Sequence, residues 1–238
     1  MIVFLLAHAG GAACLYPAFF PRLAARAELV PLDLPGHGLR GAEPLLRDIP
    51  AMTRDLGATM ERVLCQTGGE TPYMLFGHSM GGLLAFLLAA VQEENRRPAA
   101  HVFVSGSAVP GRHYVPHGLM ELGDEELWKQ SAAHFGGISQ EALESGELMS
   151  VFAPVLRADL QAVTDFAPAG GQAVDAPITA ICGGDNDVVD EADTVLWRRY
   201  TTGAFSNRML AGGHFYLLTD PAPCEDILLE AMNGSERS

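Results

Sequence analysis

Phe76-Gly77-His78-Ser79-Met80-Gly81-Gly82 is the stretch around which the chain is organised. It has the Gly-x-Ser-x-Gly form of a nucleophile elbow, in which a strand turns sharply into a helix and lifts a serine hydroxyl out of the turn. An apolar run, residues 73–76, precedes it, and a longer apolar segment, residues 83–91, follows. Glycines two before and two after Ser79 leave room for a strained backbone that would not tolerate a bulky side chain. With 26 glycines and 10 serines in 238 residues, chance alone gives about 0.1 such matches. The pattern with its flanks therefore outweighs the plainer reading, a glycine-rich turn before a buried helix.

Outward from the elbow, short apolar runs alternate with helical spacings. Residues 2–7 are continuously apolar, the mark of a strand buried on both faces of a parallel sheet, and exit into His8-Ala9-Gly10-Gly11. A helical stretch, 19–26, leads to a strand at 29–32 and then to Asp33-Leu34-Pro35-Gly36-His37-Gly38, a turn by its Pro-Gly chemistry; His37 reads as a loop residue rather than a ligand. Leu56, Met60, Val63 and Leu64 stand at helical spacing within 52–65 and return the chain to the elbow strand. Residues 102–104 make the next strand.

From about 109 to 166 the alternation stops and the pattern is helical. Asp124 and Ser139 are expected N-caps, the latter with Ile138 and Leu143 as a hydrophobic staple. A third helix is expected to be kinked or begun at Pro154. After a Pro/Gly/Ala-rich return come strands at 177–182 and 207–210, and Asp220-Pro221 opens a terminal helix in N-cap and N1 style. The expectation is one α/β domain over 1–238: a mostly parallel central sheet flanked by helices, core about 1–108 and 168–238, with a helical lid inserted at about 109–167. Ordinary helices packed on the sheet's flank are the plainer reading of that insertion.

Composition narrows the function classes. The net charge is -14 with Lys and Arg scattered, which disfavours nucleic acid or an anionic membrane as partner. No apolar stretch is long enough to span a bilayer. Cys14, Cys65, Cys182 and Cys224 are far apart without C-x-x-C spacing, and nothing before the first strand reads as a secretion signal, so a reducing, cytoplasmic location is expected. Residues 233–238 form a short polar tail.

Ser79, an acid near Asp187 and His214 follow one another in that order, each just after an expected strand. A serine hydroxyl is a poor nucleophile at neutral pH, so an imidazole must take its proton and a carboxylate must hold that imidazole's tautomer. His214 has the required context; His78 lies inside the elbow, His101 begins a strand, and His113, His117 and His134 fall in the helical insertion. Asp185, Asp187 and Asp190 crowd one loop. Asp187 is favoured because Val188-Val189 could fold the loop back over the core, whereas Asp185 sits in the turn itself. The amide of Met80, at the start of the elbow helix, is one expected oxyanion donor. The other should come from the loop after the first strand, Gly10 first by position and Ala9 second. No metal cluster or phosphate-cradling signature is present, and no cofactor is expected.

Together, His8-Ala9-Gly10-Gly11, Leu34-Pro35-Gly36-His37-Gly38-Leu39-Arg40, Gly77-His78-Ser79-Met80-Gly81-Gly82 and Gly212-Gly213-His214-Phe215 resemble the type II thioesterases of polyketide and nonribosomal peptide assembly lines, which belong to the α/β-hydrolase superfamily. Residues 152–160, Phe-Ala-Pro-Val-Leu-Arg-Ala-Asp-Leu, are similar to that family's lid-to-core helix. The resemblance covers nearly the whole chain. It implies an α/β-hydrolase fold and a discrete editing enzyme that hydrolyses acyl or aminoacyl thioesters from the phosphopantetheine arm of carrier proteins, through a Ser-His-Asp triad and an acyl-enzyme. In two places the chain departs from the family. The acidic loop lacks an Asp-Pro step, and Pro-Gly-His-Gly replaces Pro-Gly-Arg-Gly, a change that touches no catalytic role.

The expected partner is an acyl or peptidyl carrier protein, docked weakly on a monomer through an apolar patch or through basic residues such as Arg112 or Arg157. A small-molecule carboxylesterase or lipase of the same fold, and a catalytically idle relative, are the competing readings. A secreted lipase would show a signal peptide, and an idle relative would have lost a triad member.

Overall fold

The computed structural model describes residues 1–68, 71–168, 170–186 and 188–235. Within them, β1 (Ile2–Leu6), β2 (Glu28–Pro31), β3 (Tyr73–His78), β4 (His101–Ser105), β5 (Ile178–Gly183) and β6 (Phe205–Leu210) form a sheet in the order β2-β1-β3-β4-β5-β6. Every neighbouring pair runs parallel. Each residue of β1, β3 and β5 is buried; a strand covered on both faces has no polar side, which is why these runs are uninterrupted in sequence. At the sheet's edge β6 exposes Arg208 and Met209, so its apolar signal is shorter.

The helices are α1 (Pro21–Ala24), α2 (Ile49–Gln66), α3 (Met80–Glu94), α4 (Asp124–Phe135), α5 (Gln140–Glu144), α6 (Gly146–Asp165), α7 (Glu191–Val195), α8 (Tyr216–Thr219) and α9 (Ala222–Ser235). Alternate residues of β1 separate the two main cores. Ile2, Phe4 and Leu6 join Met52, Leu56 and Met60 of α2 and much of α3, whereas Val3 and Leu5 join Leu23 of α1 and Ile227 and Leu228 of α9. From β1 the chain first pairs outward to β2 and then returns to β3 on the other side. The loops leaving β1 and β3 diverge at this switch point, and a crevice opens beyond the strand ends.

Between β4 and β5, helices α4 and α6 close a core of their own around Leu127, Trp128, Ala153, Leu156 and Leu160. Ser139 caps α5 by accepting from the Ala142 amide at 3.2 Å, and Ile138 and Leu143 pack against that same core. Asp124 does not cap α4. Gly123 holds the N-cap position, and Asp124, one residue inside the helix, turns its carboxylate to the Arg157 guanidinium of α6 at 2.7 Å. Nor does Pro154 begin the third helix: α6 starts at Gly146, capped by Ser145, and continues through the proline. The hydrogen bond that Pro154 cannot make falls at the carbonyl of exposed Ser150, where water can replace it. The terminal helix begins one residue later than expected, with Asp220 Oδ1 accepting from the Ala222 amide at 3.3 Å. Of the polar tail, residues 236–238 lie outside the described residues. Among the described residues, no helix is long and apolar enough to cross a membrane.

Candidate active site

Ser79 stands between β3 and α3 at φ 55, ψ -120, a conformation that costs a non-glycine residue on the order of 1–3 kcal/mol. The surroundings over-determine it. The Ser79 amide donates to the Ser105 carbonyl at 2.7 Å, and the Gly82 amide to the Ser79 carbonyl at 2.9 Å. A Cβ on Gly77 would collide with the Gly81 carbonyl, and one on Gly81 would stand 2.5 Å from the carbonyl oxygens of Leu6 and Ala7. The elbow glycines are thus required by the close approach of α3 to β3 and β1. Ser79 is half-buried between packed His78 and Met80 and lines the crevice.

His214 lies in the turn between β6 and α8 and is buried. Burial, with a smaller contribution from His134, lowers its pKa to about 4, so the ring is neutral at physiological pH, as a proton acceptor must be. Its Nδ1 is 3.3 Å from the Asn186 amide nitrogen. Asn186 Oδ1 accepts from the amides of Val188 and Val189 at 2.9 and 3.1 Å, which fixes the orientation of the side-chain amide. A donor facing Nδ1 leaves the ring proton on Nε2, the tautomer that cannot receive a proton from serine.

Asp187 lies outside the described residues. Asn186, Val188 and Val189 around it are buried, and the two valines pack with Cys182. Asp185 is exposed. Asp190 is exposed too, and its carboxylate caps α7 through the Asp193 amide at 2.8 Å.

Two further histidines pack beneath the site. His78 Nδ1 is 2.7 Å from Ser105 Oγ, which in turn is 2.6 Å from the Tyr216 hydroxyl. Its ring centroid is 5.2 Å from that of His214. Burial, then His214 and His8, hold its pKa well below the ordinary value. His8 Nδ1 pairs with the Tyr16 hydroxyl at 2.9 Å, and burial followed by His214 lowers its pKa to about 4. These neutral rings pack around the site, His78 against His214 and His8 against His78 and Phe215.

Gly10 is not free for the role expected of it. Its amide donates to Asp159 Oδ2 of α6 at 2.7 Å, and a donor bound to a carboxylate cannot serve an oxyanion as well. Its φ of 74 explains the glycine, and a Cβ there would stand 3.2 Å from Leu156 Cδ1. The same Asp159 oxygen lies 2.9 Å from His37 Nε2. His37 is 5% exposed and Asp159 0%, so His37 lies in the expected turn but is buried against α6.

A cavity of about 320 Å³ is lined by Ser79, His214, Trp128, Phe135, Ile138 and Phe152, among others. A smaller one of about 60 Å³ is lined by Leu83, Val163, Val188 and Val189. The two share Ala9, Ser79, Phe135, Leu160 and His214, so they meet at the serine, roofed by the helices between β4 and β5. The arginines expected to dock a partner are engaged. Arg157 bonds Asp124 and the carbonyls of Met120 and Leu122 at 3.0 and 2.6 Å; Arg112 pairs with Asp193 at 2.8 Å.

A model of the thioesterase domain matches residues 1–233. Thioesterase PikA5 of Streptomyces venezuelae is 29% identical over 214 residues, 89% of this chain and 74% of that protein. Gramicidin S biosynthesis protein GrsT of Aneurinibacillus migulanus is 30% identical over 220 residues, 90% of this chain and 82% of its relative. The structure of the type II thioesterase BorB from the borrelidin biosynthetic cluster matches with a TM-score of 0.85 at 30% identity, covering 97% of this chain and 91% of that one. The family match takes in the elbow, the helices over the cavity and the histidine turn alike, and this chain belongs to the thioesterase domain family, with the α/β-hydrolase fold.

Proposed function

We propose that this chain is a discrete type II thioesterase that removes acyl or aminoacyl groups from the phosphopantetheine arm of a carrier protein, unblocking a polyketide or nonribosomal peptide synthase. The observation that carries this reading is the junction of two cavities at Ser79 and neutral His214. A thioester has an acyl half and a thiol half, and each finds a place on one side of the serine. The family, and relatives named for gramicidin S and borrelidin biosynthesis, support the same assignment.

In the proposed reaction His214 Nε2 takes the Ser79 proton as Oγ attacks the carbonyl carbon. The C–S bond then breaks and the leaving thiolate receives that proton. Water, deprotonated by His214, attacks the resulting ester, releasing the carboxylic acid and restoring Ser79. The negative oxygen is held by the Met80 amide at the start of α3 and by the Ala9 amide, which takes the place first expected for Gly10. Asp187 is the acid. Its neighbours are buried, whereas Asp185 faces solvent and Asp190 caps a helix. A carboxylate in place of the Asn186 amide at Nδ1 puts the ring proton there and frees Nε2 to act as base.

We read the chain as one domain and a monomer, with residues 109–167 as a lid. Docking falls to exposed Leu148, Val151 and Phe152, one face of α6 by their spacing, with Phe152 also lining the larger cavity. The free cysteines fit a cytoplasmic setting.

The test compares kcat/KM for one short acyl group carried on a holo carrier protein, on N-acetylcysteamine and as an ethyl ester. The expected order is carrier protein, small thiol, ester. Equal values for carrier and small thiol, or a preference for the ester, would make the chain a small-molecule carboxylesterase.

A further inference from the structure

Asp159 joins three parts of the molecule. It lies on α6, and its Oδ2 meets both the Gly10 amide of the loop after β1 and His37 Nε2 of the loop after β2. His37 Nδ1 faces the Pro35 carbonyl at 3.0 Å. A carbonyl and a carboxylate are both acceptors, so each ring nitrogen must carry a proton, and His37 is an imidazolium. Among the described residues, Asp159 Oδ1 finds no hydrogen-bond partner, which leaves His37 as the charge that compensates a carboxylate wholly out of water.

We propose that Asp159, held by the His37 imidazolium, is a positioning residue for hydrolysis: it fixes Gly10, and so the adjoining Ala9 amide, and lets that loop relax when His37 loses its proton. The inference rests on the thioesterase reading, in which Ala9 N–H binds the oxyanion. The loop is pressed on α6 twice, through Asp159 and through Leu156 against Gly10, so a shift of α6 is passed to the amide. Misplacing a group by about 1 Å can cost on the order of 10²-fold in rate.

The electrostatics agree with the geometry. Burial alone would lower the His37 pKa, but the hydrogen bond and charge of Asp159, aided by the Pro35 carbonyl and Asp33, raise it above its ordinary 6.5. A raised histidine holds its partner fully below its unfolded pKa and loses it as pH climbs through the folded value.

The other groups around His37 do not imitate this step. His8, in the same small cavity, is neutral with a pKa of about 4. Cys14, whose amide bonds Asp33, has its thiol pushed up by burial and by that carboxylate. Arg40 bonds the Asp33 carbonyl and is paired with Glu43 and Asp55. From α2 and α3 the facing residues are Leu56, Met80 and Leu84. The pH profile should therefore be a bell, with an acid limb set by His214, which must be neutral, and an alkaline limb set by His37, which must be charged.

The test follows backbone amide resonances of Ala9 and Gly10 against pH, together with kcat and KM on an acyl-N-acetylcysteamine thioester. In the wild type both amides should titrate with one pKa above 6.5, and kcat should fall about tenfold or more through the same pH range while KM changes little. In His37→Arg, whose cation persists, the amide titration and the alkaline step should disappear. In His37→Gln, kcat should be low and free of that step at every pH. An Ala9 amide that does not titrate, or an alkaline step kept unchanged in either variant, would overturn the proposal. Amides that titrate as described in a chain that hydrolyses no thioester would support the coupling and overturn the thioesterase reading instead.

Discussion

The loop after β3 and the loop after β5 bring residues to one cavity by different means. After β3 the backbone does it: Ser79 is held at φ 55 by two main-chain hydrogen bonds and by glycines that leave no room for a Cβ. After β5 side chains do it: Asn186 bonds the Val188 and Val189 amides, the valines sink beside Cys182, and Asp190 caps α7. A backbone-built site accepts few residue types, so its sequence is distinctive. A side-chain-built loop lets residues of like chemistry compete, and three aspartates stand within six positions here.

The largest effect should come from the backbone-built half. Ser79→Ala should lower kcat on the order of 10⁶-fold, the loss seen when a hydrolase nucleophile is removed, with thermal unfolding unchanged. A fluorophosphonate should add its mass at Ser79 in the wild type. Labelling elsewhere, or substantial turnover by the alanine variant, would break the assignment.

Next is the side-chain-built half. Asp187→Asn should reduce kcat about 10⁴-fold by favouring the wrong His214 tautomer, as the equivalent change does in trypsin. Asp185→Asn and Asp190→Asn should each cost less than about tenfold, since one side chain is exposed and the other is occupied with α7. If Asp185→Asn is the damaging change, the loop presents a different carboxylate from the one proposed.

The smallest effect sharpens the contrast in stability. Gly77→Ala puts a methyl against the Gly81 main chain and should cost about 3 kcal/mol, the upper part of the range for overpacking. Asp190→Ala removes only a helix cap and should cost about 1 kcal/mol. Urea unfolding of both variants reads the difference; equal losses would mean that the elbow backbone yields as readily as the loop after β5.

By itself the sequence determined the six strands, the elbow, and the order of Ser79 and His214 along the chain. Those are local matters: a doubly covered strand must be apolar throughout, and a strained turn must be flanked by glycine. Only the tertiary structure decided which amide of the loop after β1 is taken, that Arg157 ties α6 to the start of α4, and that His37 is buried against the Asp159 carboxylate. His37 and Asp159 are separated by 122 positions, and neither carries a periodic or turn signal that points to the other. Which donors share a buried carboxylate depends on where distant segments meet and how much water they exclude, and that is settled when α6 closes over the sheet.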